Sequence, residues 1–398
     1  MVRLPIVIVA VLGMAVLGTA AAGAGAPVGT RAAGTTDAAT YLVALEGPSW
    51  SRVELVGRGR VIEVLATGYA GDVGAPTQSA DGALIAWLDG NVLAVARADG
   101  TATRTKVSNV MSYAWAPRGH RLLVVSLDDG RRVKVIDLVT GRGRDVTPPV
   151  PDYGYGNDTG LSVGAWYPSG LIEYAGDDPT DPHCSALTFA PVTGGMPRIY
   201  STTCPSYHVP EPEFSVSPDG RRLLAVTKDQ GGIRASSRTV VSGRQSRLAL
   251  PPGAQSAVWL TADLLGLTVL QGDRMAVMTF GVADRRGRTL MVLGRSASAS
   301  GFIVSPDGRR LALTISGEAL TRIVSMRFGG GGLLRTLAST DDRRDRVASV
   351  CWRPDGTVLL VRDGSRLYET RDRPGAGTRL VFTFPPTASL SLAGCGRS

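Results

Sequence analysis

Short apolar runs alternate with polar turns along most of this chain. In one stretch Phe214-Ser215-Val216 leads into Ser217-Pro218-Asp219-Gly220, and Leu223-Leu224-Ala225-Val226 follows. Runs of this length, bounded by turn residues, predict β-strands. The turn explains itself: serine suits the first position of a type I turn, proline sets φ at the second, and glycine suits the fourth. Past the N-terminal region no segment holds a 3.6-residue apolar period, so helix is expected to be minor.

The unit recurs. Ser305-Pro306-Asp307-Gly308-Arg309-Arg310-Leu311 repeats Ser217–Leu223, and Arg353-Pro354-Asp355-Gly356 is a third copy. Weaker copies are Ser79-Ala80-Asp81-Gly82, Ala116-Pro117-Arg118-Gly119 and Tyr167-Pro168-Ser169-Gly170, with a degenerate one at Thr261-Ala262-Asp263. Two further strands follow the turn, as in Val133–Leu138 and Arg144–Val146. Four short strands per unit is the signature of a propeller blade. Residues 41–66 add the strands Tyr41–Glu46, Val53–Val56 and Val61–Leu65, and residues 388–393 read as one more first strand. Pooled, they make an eighth blade and leave no open sheet edge; as decoration of a neighbouring blade, they leave seven. The expected fold is all-β: a propeller of four-stranded antiparallel blades, seven or eight in number, in a single domain over residues 40–398. Trp115, Trp166 and Trp352 each stand two residues ahead of a turn proline, a recurring position that reads as blade packing.

At these residues the chain resembles the WD-like propeller repeats of the TolB family, which also occur in tricorn-type proteases and in prolyl oligopeptidase-like enzymes. The resemblance covers residues 74–384. It implies a propeller that works outside the cytoplasm and binds partners by its loops and central channel. The α/β domain of TolB proper and the hydrolase domain of the oligopeptidases do not accompany the repeats here. Neither role therefore transfers, because fold alone does not carry function.

The N-terminus bears on compartment. Met1-Val2-Arg3 is followed by the almost wholly apolar Leu4–Ala22 and the small residues Ala20-Ala21-Ala22-Gly23-Ala24. That order predicts a signal peptide over 1–24, cleaved near Ala22 or Ala24, and a disordered leader over 25–39. The alternative is an uncleaved membrane anchor, since the run approaches spanning length. Secretion gives the cysteines a disulfide reading. The sequence-local pairing is Cys184 with Cys204 and Cys351 with Cys395, and two other pairings stay open.

Composition adds less. A hydrophobic content of 43% and a charged content of 19% exclude disorder as the main state. The net charge of +9 is almost all arginine, with Lys106, Lys134 and Lys228 the only lysines, a skew that fits a GC-rich genome better than arginine chemistry. A basic surface outside the cell favours anionic wall polymers or lipid headgroups, and secretion argues against nucleic acid. A monomer is expected.

Catalytic motifs are missing. There is no G-x-S-x-G, no H-E-x-x-H and no P-loop, and the glycine run at 329–332 lacks the Lys-Ser/Thr of a phosphate cradle. Residues 148–214 stand apart. They hold Asp152, Asp158, Glu173, Asp177, Asp178, Asp181, Glu211 and Glu213 against one basic residue, Arg198, together with Tyr153, Tyr155, Tyr167, Tyr174, Tyr200 and Tyr207 and the histidines His183 and His208. In a propeller the turn between second and third strands shares a face with the link to the next blade. This gathers a candidate ligand set: Asp152, Tyr153, Tyr155, Asp158, Asp177, Asp178, Asp181, His183, Tyr207, His208, Glu211 and Glu213. Carboxylates suit Ca²⁺, and His183 with His208 and a carboxylate suit Zn²⁺. Tyrosines with carboxylates also suit a sugar or a basic protein segment. Plain polar turns explain the same residues. No cofactor is expected, with Ca²⁺ the candidate ion. The expected function is a secreted, non-catalytic propeller that binds a protein or cell-envelope component through one loop face. The competing reading is a propeller hydrolase of lactonase or glycosidase type, with Glu211 and Glu213 as acid and base.

Overall fold

The computed structural model describes residues 41–392 apart from 58, 71–72, 74–75, 98–104, 128–131, 148–161, 179–180, 195–197, 204–212, 230–231, 306, 318–320, 328–333, 341–346, 354–356, 363–365, 372–376 and 386–388. The described strands form eight four-stranded antiparallel sheets and no helix. Blade 1 takes three strands from the start of the chain, β1 (Tyr41–Glu46), β2 (Ser51–Gly57) and β3 (Arg60–Gly68). Blade 2 holds β4 (Thr77–Gln78), β5 (Leu84–Asp89), β6 (Val92–Arg97) and β7 (Thr105–Val107). Blade 3 holds β8 (Val110–Trp115), β9 (Arg121–Ser126), β10 (Arg132–Asp137) and β11 (Gly143–Asp145). Blade 4 holds β12 (Ser162–Trp166), β13 (Leu171–Asp178), β14 (Asp181–Pro191) and β15 (Arg198–Thr203). Blade 5 holds β16 (Glu213–Val216), β17 (Arg222–Asp229), β18 (Gly232–Thr239) and β19 (Gln245–Leu248). Blade 6 holds β20 (Ala254–Trp259), β21 (Leu264–Gln271), β22 (Arg274–Gly281) and β23 (Gly287–Arg295). Blade 7 holds β24 (Ser298–Val304), β25 (Arg310–Ser316), β26 (Thr321–Arg327) and β27 (Arg335–Thr340). Blade 8 holds β28 (Val347–Trp352), β29 (Thr357–Arg362), β30 (Arg366–Arg371) and β31 (Arg379–Thr383).

The chain's last strand, β32 (Ser389–Leu392), completes blade 1. It pairs with β1 from Val43↔Leu392 to Glu46↔Ser389, in the order β3-β2-β1-β32. The first strands of neighbouring blades touch around the centre: β8 against β12, β16 against β20, β24 against β28, β28 against β32. The first and last described strands thereby share one sheet, and the blade number is eight.

Burial follows the ring. Among the described residues, each pair of adjacent blades shares one apolar cluster. Blades 2 and 3 share Leu93, Val95, Leu122 and Val124, blades 5 and 6 share Leu224, Val226, Leu265 and Phe280, and blades 8 and 1 share Leu359, Leu367, Val43 and Val56. The remaining interfaces have their own clusters, including one between blades 1 and 2 around Val53, Ile85 and Trp87. A blade cannot bury both faces of its sheet alone, so closure is what makes the core continuous.

The repeated turn is a hydrogen-bonded device. Ser217 N donates to Arg222 O (2.8 Å), Gly220 N to Ser217 O (2.8 Å) and Arg222 N to Ser217 Oγ (2.9 Å), while Ser217 Oγ donates to Asp219 Oδ1 (2.6 Å). Ser305 makes the same set with Arg310, Gly308 and Asp307, and Ser79 with Leu84, Gly82 and Asp81. The glycine has φ near +73° at Gly220, a value that costs an L-residue roughly 1 kcal/mol or more. The tryptophans pack between blades. Trp352 Nε1 donates to Ile303 O (3.2 Å) of blade 7, and Trp259 Nε1 to Ser215 O (3.2 Å) of blade 5. Both acceptors lie on the preceding blade's first strand.

Topology also defines two ends. The turns between first and second and between third and fourth strands lie at one, here the turn end. The turns between second and third strands and the links between blades lie at the other, the link end.

Candidate functional site

The link end of blade 4 is built by β14, the longest strand among the described residues, folded back on β13. Their register runs from Leu171↔Pro191 to Asp177↔Ser185, slips by a bulge, and ends on Asp178↔Asp181. The structure thus brings Asp177, Asp178, Asp181 and His183 to one hairpin at the link end, where the sequence expects them. Only their backbone is described. Like charges directly opposite in an antiparallel pair are destabilising by roughly 0.2–1 kcal/mol. A second hairpin at the same end ends on a like pair of opposite sign, Arg362↔Arg366 in blade 8. Blades 4 and 8 lie opposite one another in an eight-membered ring, so an acidic pole at blade 4 and a basic pole at blade 8 stand on opposite sides of the link end.

Glu213 also reaches this end, as the first residue of β16, exposed and paired with Lys228 (Nζ–Oε1 2.6 Å). Asp152, Tyr153, Tyr155, Asp158, Tyr207, His208 and Glu211 lie outside the described residues. One carboxylate beside the acidic pole falls just short of the 148–214 window. Asp145 ends β11 and is paired with Arg132 (2.9 Å). Partial burial would raise its pKa, but hydrogen bonds from Thr147 and Arg132 and the Arg132 charge outweigh that and hold it at about 2.

The window's other tyrosines stand outside the candidate set: Tyr167, Tyr174 and Tyr200 are buried core residues. Tyr167 donates to Glu173, Tyr200 to Val240 O, and Tyr200 stacks edge-on against Phe189 at 5.4 Å. Glu173 sits near the turn end of β13, away from the other acids, and its Tyr167 contact explains its place. His120 is partly exposed and accepts or donates a bond to Asp81 (2.7 Å), which ties blade 3 to blade 2. The glycine run at 329–332 lies outside the described residues. Among the described residues no three His, Cys, Asp or Glu side chains cluster as a metal site.

Of the cysteines, Cys184 is buried in β14 and Cys351 precedes Trp352 in β28, and neither is a free thiol. Cys204 and Cys395 lie outside the described residues. Cys184 directly precedes Ser185, which pairs with Thr203, the last residue of β15. A second buried titratable group, Glu54 in β2, lies far from this hairpin; burial raises its carboxyl pKa, against a weak opposing pull from Arg52 at 3.9 Å.

No family model matches the chain, and no curated protein matches it either. Solved structures do. A dihydro-heme d1 dehydrogenase in complex with its ligand aligns over 93% of this chain and 79% of its own, with 15% identity and a TM-score of 0.53. A prolyl endopeptidase aligns over 81% of this chain with 14% identity and a TM-score of 0.52, and the chain spans only 50% of that protein's length. A TolB of Agrobacterium tumefaciens aligns at 15% identity with a TM-score of 0.36, too low to support the TolB resemblance further. At these identities the likeness establishes the β-propeller fold and leaves the activity open.

Proposed function

We propose that this chain is an exported propeller that binds a protein or cell-envelope component through its link end, the acidic hairpin of blade 4 receiving a basic segment of that partner. The observation that carries the reading is the register Asp178↔Asp181. A hairpin that keeps like charges opposed gives up stability. A cationic partner relieves that repulsion and turns the cost into binding free energy, and the basic pole at Arg362↔Arg366 would fix the partner's orientation. Export is supported by the apolar Leu4–Ala22 and the small residues after it. A Cys184–Cys204 bridge belongs to the same reading, since it would staple the base of the hairpin.

The test is titration of a labelled oligolysine peptide with wild type and with an Asp177→Asn/Asp178→Asn/Asp181→Asn variant. Binding that weakens about tenfold in the variant, and also with added salt, is expected. Equal affinity would reduce the hairpin to a polar turn. Millimolar Ca²⁺ against chelator forms a second arm: a rise in melting midpoint lost in the same variant would make the occupant an ion. The catalytic reading has the fold similarity to enzymes in its favour, and turnover of a lactone or glycoside that disappears in an Asp181→Asn variant would establish it.

A further inference from the structure

The turn end carries a pattern that composition conceals. At the start of the outer strand, or in the turn leading to it, large apolar side chains stand exposed: Ile62 in blade 1, Val139 in blade 3, Ile199 in blade 4, Val241 in blade 5, Leu334 in blade 7 and Leu380 in blade 8. Single exposed apolar residues carry no meaning. These share one structural position, and each has an arginine close by in sequence: Arg60, Arg142, Arg198, Arg244, Arg335 and Arg379. Val139 and Val241, exposed by 77% and 62%, sit at the tips of their turns. Exposed arginines continue the pattern inward, with Arg118, Arg221 and Arg309 on the turns between first and second strands.

We propose that the turn end docks flat on an anionic phospholipid surface, the apolar tips inserting shallowly between headgroups while the arginines bind phosphates. Guanidinium groups match phosphate oxygens in pairs. Tips at one end in six of the eight blades suit an extended surface, whereas a linear polyanion would cross few of them and has no use for valine. The chain's own course agrees. β1 begins at Tyr41, at the turn end, where Arg353 lies over the Tyr41 ring (5.0 Å). The apolar Leu4–Ala22 joins the ring through residues 23–40, a span of at most about 60 Å, and the chain enters the ring at the turn end.

The experiment uses the form left by cleavage after Ala24, which keeps every strand of the ring. Co-sedimentation is measured with vesicles of phosphatidylglycerol and phosphatidylcholine in equal parts, and with phosphatidylcholine alone. Binding to the mixed vesicles only is expected, about fivefold weaker for each arginine neutralised in Arg142→Gln and Arg244→Gln. Val139→Ser with Val241→Ser should weaken it about tenfold while leaving the melting midpoint unchanged, as both side chains are exposed and no charge is added. Dextran sulfate in solution is the control, and the valine variants should bind it as wild type does. No preference for the anionic vesicles, or valine variants that sediment like wild type, would overturn the proposal; the second result would make this end a polyanion surface.

Discussion

At the turn end, Ser79, Ser217 and Ser305 make one set of hydrogen bonds in three different blades. At the link end, blade 4 closes on Asp178↔Asp181, blade 8 on Arg362↔Arg366, and blade 5 on Asp229↔Gly232. The first end repeats because each blade must make the same first turn before it can pack on its neighbour. The second varies from blade to blade even where it touches a neighbour, as where Val110 N of blade 3 donates to Asn91 O of the blade 2 hairpin, and individuality on a repeating scaffold is where binding specificity is carried.

The largest effect that would break this comparison concerns the turn glycines. Gly220 and Gly308 have nearly the same positive φ, yet a Cβ at Gly220 would stand 2.2 Å from Tyr167 Cβ of blade 4, while one at Gly308 meets nothing. Gly308→Ala should cost about 1 kcal/mol from backbone strain alone. Gly220→Ala should cost about 2–4 kcal/mol, because Tyr167 is buried and has little room to give. Denaturant midpoints of the two variants check this. Equal losses would mean that the blade 4–blade 5 seam is looser than its contacts imply.

That seam also shows what was legible beforehand. Tyr41–Glu46 is the strand read from the apolar pattern, the degenerate Thr261-Ala262-Asp263 is a true blade turn, and the pooled terminal strands do complete a blade. Turn chemistry and alternation are local signals, so they survive in sequence. The packing of Tyr167 and Tyr200 is not legible in sequence, because nothing local tells which side of a twisted strand meets the next blade. Trp259 is overlooked because its turn has lost proline and glycine while its packing role remains. The arginines read as genomic bias, and only the strand order shows that many share one end with the exposed valines.

A smaller effect separates the ends by pH. Partial burial pushes the carboxyls of Asp81 and Asp307 up, but hydrogen bonds from Ser79 and Ser305, from the backbone at Ala83 and Arg309, and nearby positive charge hold both below the usual range. A carboxyl lowered in the folded state stabilises above its unfolded pKa of about 3.9, and that contribution is lost as pH falls through the folded value. Stability should therefore drop below about pH 4. Ser305→Ala should cost about 1 kcal/mol at pH 7 and flatten the acid limb, because it removes a bond to the charged form. An unchanged acid limb in melting curves from pH 5 to pH 2.5 would show that the turns do not titrate as a set.

The smallest effect has the opposite sign. If Asp178 and Asp181 oppose each other without internal compensation, Asp178→Asn should raise stability by roughly 0.2–1 kcal/mol in low salt. Asp178→Asn with Asp181→Asn should add little more, since removing either charge already ends the repulsion. Added salt should shrink the gain by screening. The turn-glycine and turn-serine substitutions lose stability, so a gain here would mark the hairpin as a place where charge is kept for something other than folding. A loss instead would mean that the two carboxylates are held by bonds within the hairpin, and the acidic pole would then be part of the scaffold it stands on.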